Sequence, residues 1–490
     1  MTAPSAMPND LPAGLPLRLW PAPGQEPAAS GRVLVSVAVV GLLGAVTLRA
    51  DALGSAVLTT GAAVLVTGLR GLRRRLTVED WFAAAAVVAL LAVVPVRSAP
   101  WLWACCLPAA WALAALALVG GRTWTGMLLA VSATALAPFR VIRWLGAPTR
   151  RLRLPLSGRG VVVAVVSAAL VLVFGMLFVA ADPAYAHALA VLEPNVRLGP
   201  VVRRGVLLVL VSGTTAIAAY LARRPPAVDA LAPPPGVPVR RTEWLVPLAL
   251  VDALFVSFVV VQLAVLFGGR DHVLRTTGLT FAQYARHGFW QLLVVTGLTL
   301  VVIAATVRYA PRGTRTDRRL LRVLLGALCV LSLVVVASAL KRMALYEDEY
   351  GFTRLRLLVQ AVELALGTGF LLLLAAGIRL DGRWLPRAAV SVAAVTLLGL
   401  AAINPDAFIA RHDVERYQRT GALDTTYLSS LSADAVPALL TLPVGPRGCA
   451  LAPIAARLRA SQDPWWDWNR GRHRARALLA GTWVGPCRIR

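Results

Sequence analysis

Residues 355–377 read LRLLVQAVELALGTGFLLLLAAG, and residues 161–181 read VVVAVVSAALVLVFGMLFVAA. Both stretches reach the roughly 20 residues that a helix needs to cross the hydrocarbon core of a bilayer. Because hydrocarbon offers no water to backbone N–H and C=O groups, a segment that crosses it is expected to pair those groups within a helix. The two stretches therefore predict transmembrane helices.

The whole sequence has the composition of a membrane protein. Hydrophobic residues make up 58% of the 490 residues and charged residues 15%, and the mean hydropathy is +0.69. A soluble domain is about half apolar, and here the apolar residues form blocks without an amphipathic pattern. The predicted fold class is all-α: a polytopic bundle of about eleven transmembrane helices with a small helical extracytoplasmic C-terminal region.

The basic residues indicate a membrane and not nucleic acid. The formal net charge is +26, but the basic residues lie in short clusters between apolar runs, where the positive-inside rule places them. Lys341 is the only lysine among the 50 basic residues. This excess of arginine, together with abundant Ala, Val, Leu and Gly, indicates a high-GC genome. We expect a bacterial inner membrane, with membrane lipids as partners and no nucleic acid.

The arginine clusters predict the topology. Candidate spans lie at residues 33–48, 53–69, 81–96, 100–119, 123–139, 160–181, 205–222, 244–267, 289–309, 320–340, 355–377 and 388–403. Arginine clusters that should face the cytoplasm lie at residues 70–75, 140–159, 223–241, 308–322 and 379–387. Two clusters on the same side of the membrane must be separated by an even number of crossings. Three apolar runs lie between the clusters at 70–75 and 140–159, so one of these runs cannot cross. The run at 123–139 is short and ends near Pro138, so we interpret it as an interfacial or half-crossing helix.

An odd number of crossings divides the chain between the two sides of the membrane. The N terminus is predicted to be cytoplasmic and the C terminus extracytoplasmic. Residues 1–31 have no basic start followed by an apolar core, so they predict a disordered cytoplasmic tail and not a signal peptide. Residues 32–159 hold the N-terminal transmembrane helices and a basic cytoplasmic loop, 160–403 a core transmembrane domain, and 404–490 the extracytoplasmic region.

The predicted outer segments contain all five histidines. These are His187, His272, His287, His412 and His473. A metal or pH-sensing cluster is one interpretation, but no pair has a ligand spacing such as His-x-x-x-His, and solvated loop histidines are the simpler one. No metal or other cofactor is predicted.

The cysteines fit the predicted orientation. Cys105, Cys106 and Cys329 lie within apolar runs, as small packing residues do. Cys449 and Cys487 are the two in the predicted outer tail, where an oxidising compartment allows them to form a disulfide.

Two acidic residues fall inside predicted spans. Asp252 and Glu363 have Gln262 and Gln360 nearby in sequence. An ionised carboxylate in hydrocarbon costs at least about 2.5–3.5 kcal/mol, so each must face protein or water. Proton or ion coupling is one hypothesis. The favoured alternative is a neutral or hydrogen-bonded carboxyl group that holds two helices together.

A dense mixed-charge stretch, KRMALYEDEYGFTRLR, spans residues 341–356. Glu347 and Asp348 are candidate catalytic residues, since acids there could act as a base or bind a cation, and arginines bind phosphate or carboxylate bidentately. The candidate binding residues are Tyr346, Tyr350, Arg354, Arg356, Arg286, Asp406 and Arg411. The alternative is interfacial anchoring, in which charges and tyrosines mark helix ends.

Six phrases carry a family resemblance. They are FVAADPAY from Phe178, LVDALFVSFVVVQLAVLFGG from Leu250, LTFAQYARHGFWQLL from Leu279, LYEDEYGFTRLRL from Leu345, NPDAFIARHDVERY from Asn404 and LDTTYLSSLSADAVPAL from Leu423. Across residues 160–440 the chain resembles actinobacterial membrane proteins of the domain-of-unknown-function families 4153 and 4173. The resemblance implies a multi-spanning membrane domain and no known activity, cofactor or catalytic residue.

Three functions fit the sequence. The leading interpretation is an envelope membrane protein that is transporter-like or interacts with lipids. One alternative is a transferase that acts on a lipid-linked substrate at the outer leaflet through Glu347, Asp348, Arg354 and Arg356. Another is a membrane sensor or regulator that uses the outer tail.

The topology predicts the outcome of reporter fusions. Because arginine clusters are retained in the cytoplasm, fusions after Arg75, Arg159, Arg241, Arg319 and Arg387 should show cytoplasmic reporter activity. Fusions within residues 182–204, 268–288, 341–354 and 404–490 should show exported activity. A cytoplasmic signal from a fusion after Asp424 would contradict the odd number of crossings.

Overall fold

The computed structural model describes Trp20, Phe178 and residues 29–49, 52–72, 74–149, 198–231, 236–237, 239–267 and 289–487. Across these ranges the chain forms α-helices, short 3-10 helices and turns, with no strand. The all-α prediction is confirmed. Most of the predicted tail 1–31, of the apolar run 160–181 and of the loop 182–204 lies outside the described residues, as does the whole loop 268–288.

The described part of the chain contains seventeen α-helices. In chain order they are α1 (Gly31–Thr47), α2 (Ser55–Leu69), α3 (Val78–Val96), α4 (Pro100–Val119), α5 (Trp124–Leu136), α6 (Pro138–Thr149), α7 (Leu198–Arg223), α8 (Arg241–Phe267), α9 (Phe289–Tyr309), α10 (Arg315–Tyr350), α11 (Arg354–Arg379), α12 (Leu385–Ala402), α13 (Pro405–Thr420), α14 (Thr425–Ser429), α15 (Val436–Leu439), α16 (Val444–Ala460) and α17 (Arg470–Ala480).

Eight helices within the described ranges are long and apolar enough to cross a membrane. They are α3, α4, most of α7, α8 and α9, and the whole of α10, α11 and α12. Helices α5 and α6 are bent by 52° at their junction and would make a ninth span if they crossed together. This break falls within the run 123–139. Helix α1 and the segment Ser55–Gly71 are apolar but shorter. A polytopic helical bundle is thus confirmed.

The chain divides into two compact units. The first comprises Met1–Leu91, Ala110–Ala232 and Trp465–Asp467, and the second comprises Ala92–Ala109, Pro233–Pro464 and Trp468–Arg490. The domain boundaries predicted at residues 31, 159 and 403 remain predictions.

In the first unit, α1 packs closely against α7 because glycines lie at their contact. A Cβ atom at Gly41 would lie 1.9 Å from Ser212 Oγ, and one at Gly44 would lie 2.7 Å from Val211 Cγ2. Helices in lipid gain little from hydrophobic burial, so close approach at small residues is a main source of packing energy.

In the second unit, α8 and α10 are joined at two points. Arg241 at the start of α8 forms an ion pair with Asp317 in the first turn of α10, with 2.7 Å between Nη2 and Oδ1. Farther along, Gln262 Oε1 accepts hydrogen bonds from Ser338 Oγ at 3.1 Å and Arg342 Nη2 at 2.8 Å. Because these contacts follow the same order along both helices, α8 and α10 run parallel.

The C-terminal helices are held together by a disulfide and an acidic turn. Cys449 on α16 is bonded to Cys487. Asp463 precedes α17 and accepts hydrogen bonds from Arg472 Nε at 2.9 Å and Arg476 Nη1 at 2.7 Å. Burial acts to raise the pKa of Asp463, but the two arginines hold it below its ordinary value. These bonds join α17 to the turn that follows α16.

The disulfide gives a stability prediction. It closes a sequence separation of 38 residues, and restricting an unfolded loop of that size stabilises the folded state by about 3–4 kcal/mol. The double variant Cys449→Ser/Cys487→Ser should melt at a lower temperature than the wild type in detergent. The wild type treated with reductant should match it, and reductant should leave the variant unchanged. A wild-type melting temperature that does not respond to reduction would contradict the assignment.

Candidate functional site

The mixed-charge stretch of the sequence forms a tight turn between α10 and α11. Gly351 ends α10 with φ +79°, and a Cβ atom there would lie 2.6 Å from Asp413 Oδ1. Phe352 N donates to the same Asp413 oxygen at 2.8 Å, and Thr353 Oγ1 caps α11 by accepting from Arg356 N at 3.3 Å. The turn therefore requires glycine at 351, because a side chain would strain the backbone and displace Asp413.

A buried ion pair joins the start of α11 to α13. Arg354 Nε and Nη2 donate to Asp406 Oδ1 and Oδ2 at 2.9 and 2.6 Å, and Arg354 Nη2 also donates to Ser430 O at 3.2 Å. Asp406 is 0% exposed and also accepts from Trp101 Nε1 at 3.0 Å and Ser432 N at 2.8 Å. Burial acts to raise the pKa of Asp406, but these donors, Arg354 first, hold it below its ordinary value.

Arg356 also contacts other residues of the turn. Its Nη1 donates to the carbonyl oxygen of Gly351, and its Cζ lies 4.2 Å from the centroid of the Tyr346 ring. That ring stacks at 4.8 Å on Tyr350. A guanidinium over an aromatic face gains from the ring quadrupole. Arg354 and Arg356, the two arginines of this turn that were predicted to bind a ligand, thus already contact the protein, whereas Asp348 is exposed to solvent.

Glu347 is buried behind this turn. It is 2% exposed, and its Oε2 accepts from Gln360 Nε2 at 2.5 Å. Its Oε1 has no hydrogen-bond partner in the described part of the chain. The Glu347 carboxyl group interacts electrostatically with Arg356 and Asp413. The structure thus brings together Glu347 and Gln360, which the sequence placed in two separate groups.

Asp413 lies next to Glu347 in this electrostatic network. Burial raises the pKa of Asp413 to about 6, against the hydrogen bond from Phe352 N and the charges of Arg416 and Arg356. The carboxyl group therefore titrates near neutral pH. The neighbouring His412 Nδ1 lies 2.9 Å from Phe408 O, and its ring stacks 4.0 Å from the Phe408 ring.

Asp252 and Glu363 lie inside the second unit. They are 7% and 1% exposed, and none of their four carboxyl oxygens has a hydrogen-bond partner among the described residues. Gln262, by contrast, is bonded to Ser338 and Arg342 on α10. Gln360 precedes Glu363 by three residues on α11, so the two side chains lie on one helix face.

A second polar region, which the sequence did not single out as a site, surrounds Asp434. Its Oδ2 accepts from Ser98 N at 2.6 Å, and Asp434 N donates to Ser98 Oγ at 3.0 Å. Burial raises the pKa of Asp434 despite these bonds. Asn469 is completely buried, and its amide donates to Val94 O at 2.7 Å. Residues more than 330 positions apart meet here, which no local pattern signals.

Arg411 lies apart from the other predicted site residues. It lines an open cavity of about 610 Å³ that lies beside α13. Arg286, His187, His272 and His287 lie outside the described residues. Among the described residues, no group of three or more His, Cys, Asp or Glu side chains could hold a metal ion.

Apolar spans, short connections and polar side chains gathered at helix ends define the class of this molecule as a multi-pass helical membrane protein. The sequence model of the family described as Domain of unknown function (DUF4153) matches residues 85–442, well over half of the chain. The chain belongs to this family. No curated protein and no solved structure matches it. The matched range includes α8 to α13 and therefore both buried carboxyl groups and the α10–α11 turn.

The Arg354–Asp406 pair predicts a large loss of stability on substitution. Arg354→Gln leaves a carboxylate that is 0% exposed without its cation, and breaking a buried pair in this way costs about 3–5 kcal/mol. The melting temperature in detergent should fall. Arg354→Gln/Asp406→Asn should regain part of the loss, because the buried group is then neutral. Arg419→Gln, an exposed change on α13, is the control. If Arg354→Gln lowers the melting temperature no more than the control, the pair has no structural role.

Proposed function

We propose that the protein is a transporter-like membrane protein that binds protons inside its helical bundle and moves them across the membrane. The observation that carries this proposal is the state of Asp252 and Glu363. Both carboxyl groups are buried in candidate spans, and neither has a hydrogen-bond partner among the described residues.

Burial without a partner favours the protonated form of both groups. A charged carboxylate in hydrocarbon costs at least about 2.5–3.5 kcal/mol, and protonation removes that cost. If the two side chains only joined helices, hydrogen bonds to neighbouring helices would be expected, as Gln262 makes to α10.

A series of polar groups extends from the α10–α11 turn toward Glu363. Glu363 and Gln360 lie one turn apart on α11, Gln360 is bonded to Glu347, and Glu347 interacts electrostatically with Asp413. Burial raises the pKa of Asp413 to about 6, so this carboxyl group can take up or release a proton near neutral pH. We infer that protons approach Glu363 from this end.

The proposal includes the bacterial inner membrane and the predicted orientation. Arginines concentrate at the first turns of α10 and at the α11–α12 connection, whereas the opposite ends of α10 and α11 carry the mixed-charge turn. The positive-inside rule then supports a cytoplasmic location for the arginine-rich ends. The N terminus would be cytoplasmic and the C-terminal helices extracytoplasmic, so protons would reach Glu363 from outside.

Infrared spectroscopy and proton flux test the proposal together. The wild type at neutral pH should show the carbonyl stretch of protonated carboxylic acids, and Asp252→Asn and Glu363→Gln should each remove part of it. In proteoliposomes with a pH-sensitive dye inside, an imposed membrane potential should drive proton entry through the wild type. Glu363→Gln should reduce this entry to the level of empty liposomes. Glu349→Gln, an exposed change on α10, is the matched control and should change neither measurement.

Two results would contradict the proposal. One is the absence of a protonated carboxyl signal in the wild type at neutral pH, because both groups would then be ionised. The other is proton entry that is unchanged in both amide variants, which would leave the two residues as structural groups only.

A further inference from the structure

An open cavity of about 610 Å³ lies where α12 meets α13. Its volume falls in the range of small-molecule sites. Its walls include Ile403 and Asn404 at the junction, one face of α13, the segment 437–441 and Arg474 on α17. All of these residues belong to the second unit. Because α12 is a candidate span that ends at Ala402, the cavity begins at the end of a span, at the level expected for the membrane surface.

The cavity contains two arginines available to bind an anion. Arg411 and Arg474 both line it and are exposed, and neither makes a hydrogen bond or ion pair with any described residue. Arg411 lies 5.9 Å from the centroid of the Phe408 ring. Arg354 and Arg356, by contrast, donate hydrogen bonds to other residues of the protein.

The cavity also contains acidic acceptors. Glu415 lies one turn after Arg411 on α13, is exposed and lines the cavity without an ion-pair partner in the described chain. Asp434, whose carboxyl group accepts from Ser98 N, also lines the cavity. An exposed carboxylate without an ion-pair partner can accept hydrogen bonds from a cationic group of a ligand.

These groups together require a ligand with a negative and a positive group. We propose that the cavity binds the phosphoethanolamine group, with its phosphate on Arg411 and Arg474 and its ammonium on Glu415. Arginine matches the geometry of phosphate oxygens, and an ammonium donates charge-assisted hydrogen bonds to a carboxylate. The group reaches the cavity either as the headgroup of a phospholipid in the adjacent leaflet or as a free soluble phosphoester.

The experiment measures binding to the full-length protein in a non-ionic detergent by isothermal titration calorimetry. The probes are O-phosphoethanolamine, a short-chain phosphatidylethanolamine and, for comparison, a short-chain phosphatidylglycerol and inorganic phosphate. Each lost charge-assisted hydrogen bond should weaken binding roughly tenfold or more. Arg411→Gln and Arg474→Gln should therefore each weaken binding of both ethanolamine probes. Arg419→Gln, on α13 but outside the cavity lining, should leave it unchanged.

One further variant tests the ammonium contact. Glu415→Gln keeps the size of the side chain and removes its charge, so it should weaken binding of the ethanolamine probes and leave the phosphate affinity unchanged. Circular dichroism and the melting temperature of each variant confirm that loss of binding does not arise from unfolding.

The probes separate the sources of the ligand. Binding of the short-chain lipid without binding of O-phosphoethanolamine identifies a lipid headgroup site, whereas equal binding identifies a site for the soluble phosphoester. Phosphatidylglycerol or phosphate binding as tightly as the ethanolamine probes, or no binding of any probe, would overturn the proposal. Glu363→Gln should keep the full affinity, so a failure of proton coupling and a failure of this site remain distinguishable.

Discussion

The hydrocarbon core of the membrane offers no hydrogen-bond partner, and the described transmembrane helices are arranged around that constraint. Backbone groups are satisfied within helices, and hydroxyl groups bond to the preceding turn, as Ser332 does to Leu328 O at 2.8 Å. Amide side chains find partners on neighbouring helices, as Gln262 and Gln360 do. Asp252 and Glu363 depart from this pattern, and for a carboxyl group in that position a bound proton is the remaining way to avoid an unpaired charge.

The same constraint explains why Arg354, in the charged turn between α10 and α11, has a structural role. Arg354 lies at the first position of a candidate span and is directed to Asp406, whose burial would be prohibitive without a cation. Trp101 and Ser432 complete the coordination of that carboxylate. The pair thus joins α11, α13, α4 and the segment around Ser432. Because Arg354 has this role, a catalytic or anion-binding role for it in a transferase gains no support from the geometry.

The two proposals use groups in different physical environments. Asp252 and Glu363 are buried without a hydrogen-bond partner among the described residues, so protonation changes their free energy strongly. Arg411 and Arg474 are open to solvent and gain from a ligand through geometry and multiple contacts. Helix α11, which carries Glu363, contacts both α12 and α13, the two helices that meet at the cavity.

The sequence by itself determined the helical fold, the membrane class and the positions of the buried acids, because these follow from the length and composition of contiguous segments. The break at Pro138 was also signalled locally, by the proline and the short apolar run 123–139, whereas helix α6 continues beyond that run to Thr149. Only the tertiary structure decided which polar residues meet. The pairing of Arg354 with Asp406 and of Gln360 with Glu347 joins different helices, and that of Ser98 with Asp434 joins the α3–α4 connection to a distant short 3-10 helix. These contacts depend on helix packing and rotation, which leave no periodic trace in a chain whose spans are apolar on nearly every face.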